Sequence, residues 1–332
     1  MERYYSLSRY LKNTYGERLY KLALNGGMTC PNRDGTLSDK GCIFCSAGGS
    51  GEFAASAQLS VSEQLVNARR LIAAKYPSGR FIAYFQAYTN TYAPVSYLER
   101  IFNEALDDPD VAVLSIATRP DCLPNDVLKL LDRLNRRKPV WIELGLQTVR
   151  DDTAERIGRG YPLSCFTQAA ARLSGIGIPI IAHLILGLPD ERVEDMTAGA
   201  DYLSALGVSG VKLQLLHILK GTGLESVYYE SLKTGSRRFS LLERDAYVDA
   251  VIRCLEHLRP DIVIHRLTGD GPGNLLIAPD WSRNKRRVLG EIGRQLKLRD
   301  TWQGRCLQPD PKRNHNITTG TEELYAAGIP YA

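Results

Sequence analysis

Cys30, Cys42 and Cys45 stand together in the Gly-rich segment Cys30-Pro-Asn-Arg-Asp-Gly-Thr-Leu-Ser-Asp-Lys-Gly-Cys42-Ile-Phe-Cys45, a C-x11-C-x2-C spacing. The thiolate is the metal-binding form of cysteine. A structural zinc or an electron-transfer iron–sulfur centre normally takes four protein ligands. Here there are three, and no histidine occurs before His183. Three ligands and a vacancy suit a [4Fe–4S] cluster whose fourth iron binds a small molecule. A zinc knuckle or free thiols are the alternatives, and the missing fourth ligand weighs against zinc.

The surrounding pattern must position that loop. Short apolar runs at Lys21–Ala23, Arg80–Phe85, Val111–Ala117, Val140–Leu146, Ile178–Leu186 and Gly210–His217 read as strands. Between them, Ser62–Lys75, Val95–Asp107, Asn125–Asn135, Leu163–Ser174 and Val193–Leu206 read as helices, the last stopped by Gly207. Strand and helix in alternation mean parallel βα units, and six of them predict an α/β fold built as a partial (β/α)6 TIM-like barrel. Such a barrel carries its chemistry at the C-terminal ends of its strands. Beyond His217, a helix over Phe239–His257, a strand over Asp261–Leu267 and a basic helix over Ser282–Leu296 predict a C-terminal α/β extension, with a loose tail from Gln303. The expected division is residues 1–219, barrel and cysteine loop, and residues 220–332, an extension packed on it.

Polar residues at the predicted strand ends are the next candidates. The second strand runs into Gln86, Thr89 and Asn90, which either contact a cofactor or shape a turn. In the fourth, Glu143 falls inside an apolar run, where an ionised carboxylate is costly unless paired. Glu143 is a candidate catalytic group, with Gln147 beside it, and a structural ion pair with Arg119 is the alternative. The third strand ends at Arg119 and Cys122, the former suited to a carboxylate or phosphate. Cys122 is a candidate radical partner or an idle thiol. Alternation in the sixth puts Lys212, Gln214 and Leu216 on one face and Leu213, Leu215 and His217 on the other. His217 and Lys220 lie at its end, the former toward cofactor and the latter a candidate catalytic group. His265–Pro272 closes the open side of the barrel or touches substrate.

The cysteine motif resembles that of the radical S-adenosylmethionine (radical SAM) superfamily, usually C-x3-C-x-aromatic-C, with Phe44 in the aromatic place. The widened first gap and the text Asn25-Gly26-Gly27-Met28-Thr29-Cys30-Pro31-Asn32-Arg33-Asp34-Gly35 resemble the YhcC/YtqA-type family, related to the catalytic subunit of Elongator. The resemblance runs from about Tyr15 to about Gly304. The superfamily's Gly-Gly-Glu segment after the second strand is absent. Its G-x-I-x-G-x-x-E motif is matched at Ile185 and Gly187, with His183 and Asp190 as departures. The resemblance implies a [4Fe–4S] cluster on Cys30, Cys42 and Cys45, and S-adenosylmethionine held by Gln86, Thr89, Asn90, Glu143, Gln147, Ile185, Gly187 and His217. It further implies reductive cleavage to a 5′-deoxyadenosyl radical, an electron donor such as flavodoxin or ferredoxin, and chemistry on wobble uridine of tRNA.

Composition bounds this reading. Of 332 residues 44% are hydrophobic and 24% charged, as in globular domains, and no run of about 20 apolar residues suggests a membrane span. The start, Met1-Glu2-Arg3-Tyr4-Tyr5, has no signal-peptide pattern, and seven cysteines do not suggest a disulfide framework, so a reducing cytoplasm is expected. A net charge of +5 matters only where it clusters: at Arg133, Arg136, Arg137 and Lys138, and at Arg283, Lys285, Arg286, Arg287, Arg294, Lys297 and Arg299. A basic helix suits phosphate backbone, or is a solvated face. Two other readings stay open: a radical SAM enzyme for a small metabolite or peptide, and a non-enzymatic cluster- or zinc-binding interaction module.

Overall fold

The predicted apolar runs become strands of one parallel sheet. The computed structural model describes residues 2–76, 78–235, 241–269 and 271–307. Within them the strands are β1 (Tyr20–Leu24), β2 (Phe81–Phe85), β3 (Val111–Thr118), β4 (Val140–Gln147), β5 (Ile180–Leu186), β6 (Gly210–Leu215), β7 (Ile218–Leu219), β8 (Val263–Arg266) and β9 (Leu276–Ala278). The order β1-β2-β3-β4-β5-β6-β8 is parallel throughout, so the extension donates a seventh strand to the six expected. The short β7 pairs antiparallel with β9 beyond the end of β6.

Helices α2 (Val61–Ile72), α3 (Val95–Asp107), α4 (Asn125–Asn135), α5 (Asp151–Arg156), α6 (Leu163–Gly175), α7 (Val193–Leu206), α8 (Gly223–Thr234) and α9 (Arg244–His257) connect successive strands. The apolar faces of α2, α3, α4, α6, α7 and α9 and the outward residues of the strands share the main core, which includes Leu22, Leu24, Phe85, Leu114, Ile142, Leu144, Leu184 and Leu213. Gly207 ends α7 in the left-handed region (φ 74°), the stop expected of it. Helix α10 (Lys285–Leu298) begins after a 3-10 turn over Asp280–Arg283, where the Asn284 side chain caps it by accepting from Arg287 N. The start of the helix expected over Phe239–His257 and the tail over residues 308–332 lie outside the described residues. Gln303 is not loose: its amide donates to Arg259 O and Ile262 O at 2.6 and 2.8 Å and its oxygen accepts from Tyr5 N.

The inward residues form layers. At the N-terminal end of the strands Leu19, Ile82, Val113, Trp141 and Ile181 pack against Leu11 of α1 (Leu7–Tyr15), which closes that mouth of the barrel. Trp141 is central, with ring centroids of Tyr10 and His265 at 6.0 and 5.7 Å. Trp141→Ala removes the largest ring of this plug without a backbone change. It should lower unfolding free energy by about 3–5 kcal/mol, read from the denaturant midpoint, and a cost below about 1 kcal/mol would contradict the plug.

Candidate active site

One layer above the plug the inward side chains turn polar. Lys21 of β1, Tyr84 of β2, Ser115 of β3, Glu143 of β4, His183 of β5 and Lys212 of β6 meet inside the barrel. Glu143, 1% exposed, is their hub. Its Oε1 accepts from Lys21 Nζ and from Ser115 Oγ at 3.0 Å; its Oε2 accepts from Lys212 Nζ and from His183 Nε2 at 2.9 Å. The two ammonium groups lie 4.6 and 4.7 Å from the centre of the Tyr84 ring, and Lys212 also donates to the Tyr84 hydroxyl at 3.1 Å.

Burial alone would raise the Glu143 carboxyl. Lys21, Lys212 and the His183 hydrogen bond outweigh it and hold the group well below the usual range, so it is ionised. Burial, helped by Lys212, lowers His183 to about 4. A neutral imidazole beside an acceptor-only carboxylate must donate through Nε2, which leaves the lone pair on Nδ1. Burial also presses Lys212 well below the ordinary lysine value against the pull of Glu143, and raises the Tyr84 phenol.

Above this layer opens a cavity of about 480 Å³, of a size ordinary for small-molecule sites. Cys30, Cys42 and Cys45 line its mouth with Gln86, Thr89, Arg119, Gln147, Ile185 and His217. The cysteine loop is anchored at both sides: Ile43 N donates to Ile157 O at 3.0 Å, and Leu224 N to Ile43 O at 2.8 Å. The Asn32 amide donates to Cys42 Sγ at 3.4 Å, while Arg33 donates to the carbonyls of Cys45 and Ser46. A glycine is required at Gly41 (φ 75°), where an added Cβ would lie 3.0 Å from the Arg33 guanidinium. Burial and the neighbouring cysteines push Cys42 up to about 11, and burial also raises Cys45. Arg119 and Arg33 oppose these shifts on Cys42 and Cys45 without cancelling them. Among the described residues no three His, Cys, Asp or Glu side chains converge on a single ion. A four-iron cluster takes each thiolate on a different iron, so the residues present fit a cluster better than one zinc ion, whose ligands must meet at one point.

The strand-end expectations divide. Gln86, Thr89, Glu143, Gln147, Ile185 and His217 line the cavity with the three cysteines. Cys122 does not: it is buried beside Asp121 Oδ1 (3.8 Å), and burial pushes its thiol up to about 12. Lys220 is exposed and outside the lining, because the chain turns into β7 after Leu215. Asn90 is also outside the lining: its amide clamps Phe85 O and Ala117 O at 3.1 and 2.9 Å, tying β2 to β3. Gly187 (φ 88°) shapes the turn after β5, where an added Cβ would meet Leu242 at 3.1 Å. Arg119 is not the partner of Glu143. It forms a two-pronged pair with Asp121, at 2.9 and 2.6 Å. Leu216 and His217 both line the cavity because strand alternation ends at Leu215. His265, Arg266, Gly269, Gly271 and Pro272 line its open side, as one reading of His265–Pro272 expects, with Asp270 outside the described residues.

Lys21, Tyr84 and Ser115 escape a strand-by-strand reading. The available signal is that each of six apolar runs carries at least one polar residue at an inward position. Arg159, 1% exposed, is missed too: it donates to Leu146 O, Thr148 O and Tyr161 O and pairs with Asp151, fixing the β4 end from within. The Tyr161 ring lies between Arg119 and Arg159, at 4.8 and 4.7 Å, and its hydroxyl donates to Gly145 O and to Gln147 Oε1. Glu191, one residue past Asp190, is the acid that accepts from Thr148 at the β4 turn.

The family model "Radical SAM superfamily" matches residues 30–203, and "Radical_SAM C-terminal domain" matches 208–297. The chain is 43% identical to "Uncharacterized protein YtqA" of Bacillus subtilis over 307 residues, 92% of this chain and 94% of that one. It is 35% identical to "Protein YhcC" of Escherichia coli over 289 residues, 86% and 90% of the two chains. The solved structure of the archaeal Methanocaldococcus infernus Elp3 shares the fold with a TM-score of 0.64 at 14% identity, covering 86% of this chain and 64% of that one.

Two measurements follow. Glu143→Ala leaves two lysines facing each other without a counter-charge and should cost about 3–5 kcal/mol of stability by urea denaturation; a neutral outcome would contradict the hub. Glu191 titrates at about 7 when folded, largely through burial, against 4.5 ordinarily. The folded chain therefore binds the extra proton, and this group's contribution to stability falls as pH rises from about 4.5 to 7. The stability of Glu191→Gln relative to wild type should rise across that window and level off above it; a pH-independent difference would contradict the shift.

Proposed function

The chain belongs to the radical SAM superfamily and is an enzyme of that superfamily; we propose that it cleaves S-adenosylmethionine reductively at a [4Fe–4S] cluster on Cys30, Cys42 and Cys45, and that it modifies wobble uridine of tRNA in the cytoplasm. The observation that carries the first part is the set of three cysteines around the mouth of a closed-bottomed cavity. When bound, the cluster and S-adenosylmethionine would supply hydrogen-abstraction chemistry, with electrons from a flavodoxin- or ferredoxin-like donor.

The protein groups bind, orient and exclude water. Gln86, Thr89 and Gln147 offer polar atoms at the ends of β2 and β4 for the methionine and ribose portions. Ile185 gives adenine an apolar face, and His217 stands beside it. Gln147 is held for this by Tyr161 and by its own left-handed backbone (φ 61°). The α1 plug below, with Gly269, Gly271 and Pro272 at the side, keeps bulk water from a reactive radical. Glu143 holds Lys21, Lys212 and His183 in place under the reacting region.

The tRNA assignment comes from the sequence resemblance to the Elongator catalytic subunit, with its suggestion of chemistry on a carboxymethyl-aminomethyl substituent at C5. The surface charge supports it. Arg133, Arg136 and Arg137 are paired with Glu99, Asp132 and Asp107, while Lys138 donates to Asp108 O, so this cluster is largely satisfied within the chain. Arg286 and Arg287 occupy the first turn of α10, where the helix dipole disfavours cations. Phosphates would offset that cost.

Anaerobic reconstitution with iron and sulfide, then dithionite and S-adenosylmethionine, should yield 5′-deoxyadenosine in wild type and none in Cys45→Ala. Zinc in place of iron and no product in either would overturn the assignment. Bulk tRNA should bind with a salt dependence whose slope falls by about 1 for each of Arg286→Ala and Arg287→Ala. An unchanged slope in the double variant would favour a small metabolite or peptide as substrate.

A further inference from the structure

The floor of the cavity holds two lysines and one carboxylate. Glu143 has given all four of its acceptor positions to Lys21, Ser115, Lys212 and His183, so it has nothing left to offer a ligand. The only other acid lining the cavity among the described residues is Glu52, which belongs to the cysteine loop and accepts from Ser46. Tyr84 stays a neutral phenol and His183 a neutral imidazole. Arg266 of β8, on the open side of the cavity, adds its field to that on Lys212 and Tyr84. Of the cations nearer the mouth, Arg119 is committed to Asp121, Arg159 to Asp151, and Arg33 to two carbonyls. The excess positive charge is therefore concentrated at the floor. Lys21 is its open end, with 22% of its side chain exposed and Nζ over the face of Tyr84.

We propose that this floor is a carboxylate seat: a single acidic group on the substrate docks against Lys21 and Lys212, and so points the neighbouring carbon toward the cysteine mouth of the cavity. This deepens, and rests on, the reading of the cavity as a radical SAM active site. One added negative charge brings Lys21, Lys212 and Glu143 near balance. The depth of the seat also sets specificity. A buried ammonium left without its anion is costly, so a substrate lacking the acidic group is rejected more strongly than one that merely fits less well. An anion at the floor would also oppose the burial that presses Lys212 toward its neutral form.

The test uses the full chain and acetate as probe, titrated calorimetrically at constant ionic strength, with acetamide as the uncharged match and inorganic phosphate as the dianion. Wild type should bind acetate on the order of millimolar, at least tenfold more tightly than acetamide or phosphate. Lys21→Met leaves Glu143 with Lys212, His183 and Ser115, so the chain should still fold, with a lowered melting temperature, while acetate affinity falls about tenfold or more; Lys21→Arg should restore both. Equal acetate binding in wild type and a folded Lys21→Met, or tighter binding of phosphate, would overturn the seat as drawn. A second arm separates the two sources of carboxylate. In the anaerobically reconstituted protein, unchanged S-adenosylmethionine affinity in Lys21→Met assigns the seat to substrate, and a tenfold loss assigns it to the cofactor's own carboxylate and overturns the proposal. The acetate titration needs neither cluster nor turnover, so failure to form 5′-deoxyadenosine counts against the reaction alone.

Discussion

A buried carboxylate must be fully satisfied, and the interior of this barrel is organised around that requirement. Glu143 sits near the middle of β4 and draws hydrogen bonds from β1, β3, β5 and β6. A one-residue slip of any of these strands would turn a donor to the outer face and leave charge unpaired in a medium of low dielectric. The network thus specifies register across the sheet, and its partners are reached only when the sheet curls far enough for Lys21 and Lys212 to approach one group.

That polar belt divides the lumen into regions with different tasks. Below it, apolar side chains and α1 seal the barrel. Above it, the strands end in the loops that build the cavity mouth. The cysteine loop is not free to wander there, because Ile43 and Phe44 between the cysteines pack on the satellite core of Ile157, Ile185, Leu216 and Leu224. The apolar residues within the motif anchor the loop; the thiols are left to face the cavity. Similarly, Arg159 stiffens the end of β4 through backbone carbonyls, so that Gln147 and Tyr161 keep their geometry.

Much of the scaffold was legible in the chain itself. Val95–Asp107, Asn125–Asn135 and Val193–Leu206 match their predicted bounds because apolar periodicity and breakers such as Pro94, Pro124 and Gly207 agree there. Helices α1 and α8 were not foreseen: each has few buried residues, and their helical state depends on what they cover. The cysteine triad was readable because its spacing is local. Lys21 was not, since Lys21 and Glu143 are 122 positions apart and acquire meaning only across the curled sheet. Cys122, Lys220 and Asn90 mislead for the converse reason: polarity near a strand end does not say whether a side chain faces the lumen, the solvent or the neighbouring turn.

On the proposed reading, Cys30, Cys42 and Cys45 hold a cluster with one iron open to a ligand at the mouth of this cavity. Electron paramagnetic resonance of the dithionite-reduced, anaerobically reconstituted protein tests it most directly, recorded with and without S-adenosylmethionine. The expected signal of the reduced cluster changes shape on addition of S-adenosylmethionine, because the ligand would bind an iron that no protein group occupies. A cluster signal indifferent to S-adenosylmethionine would mean that the fourth position is filled, and would contradict the account.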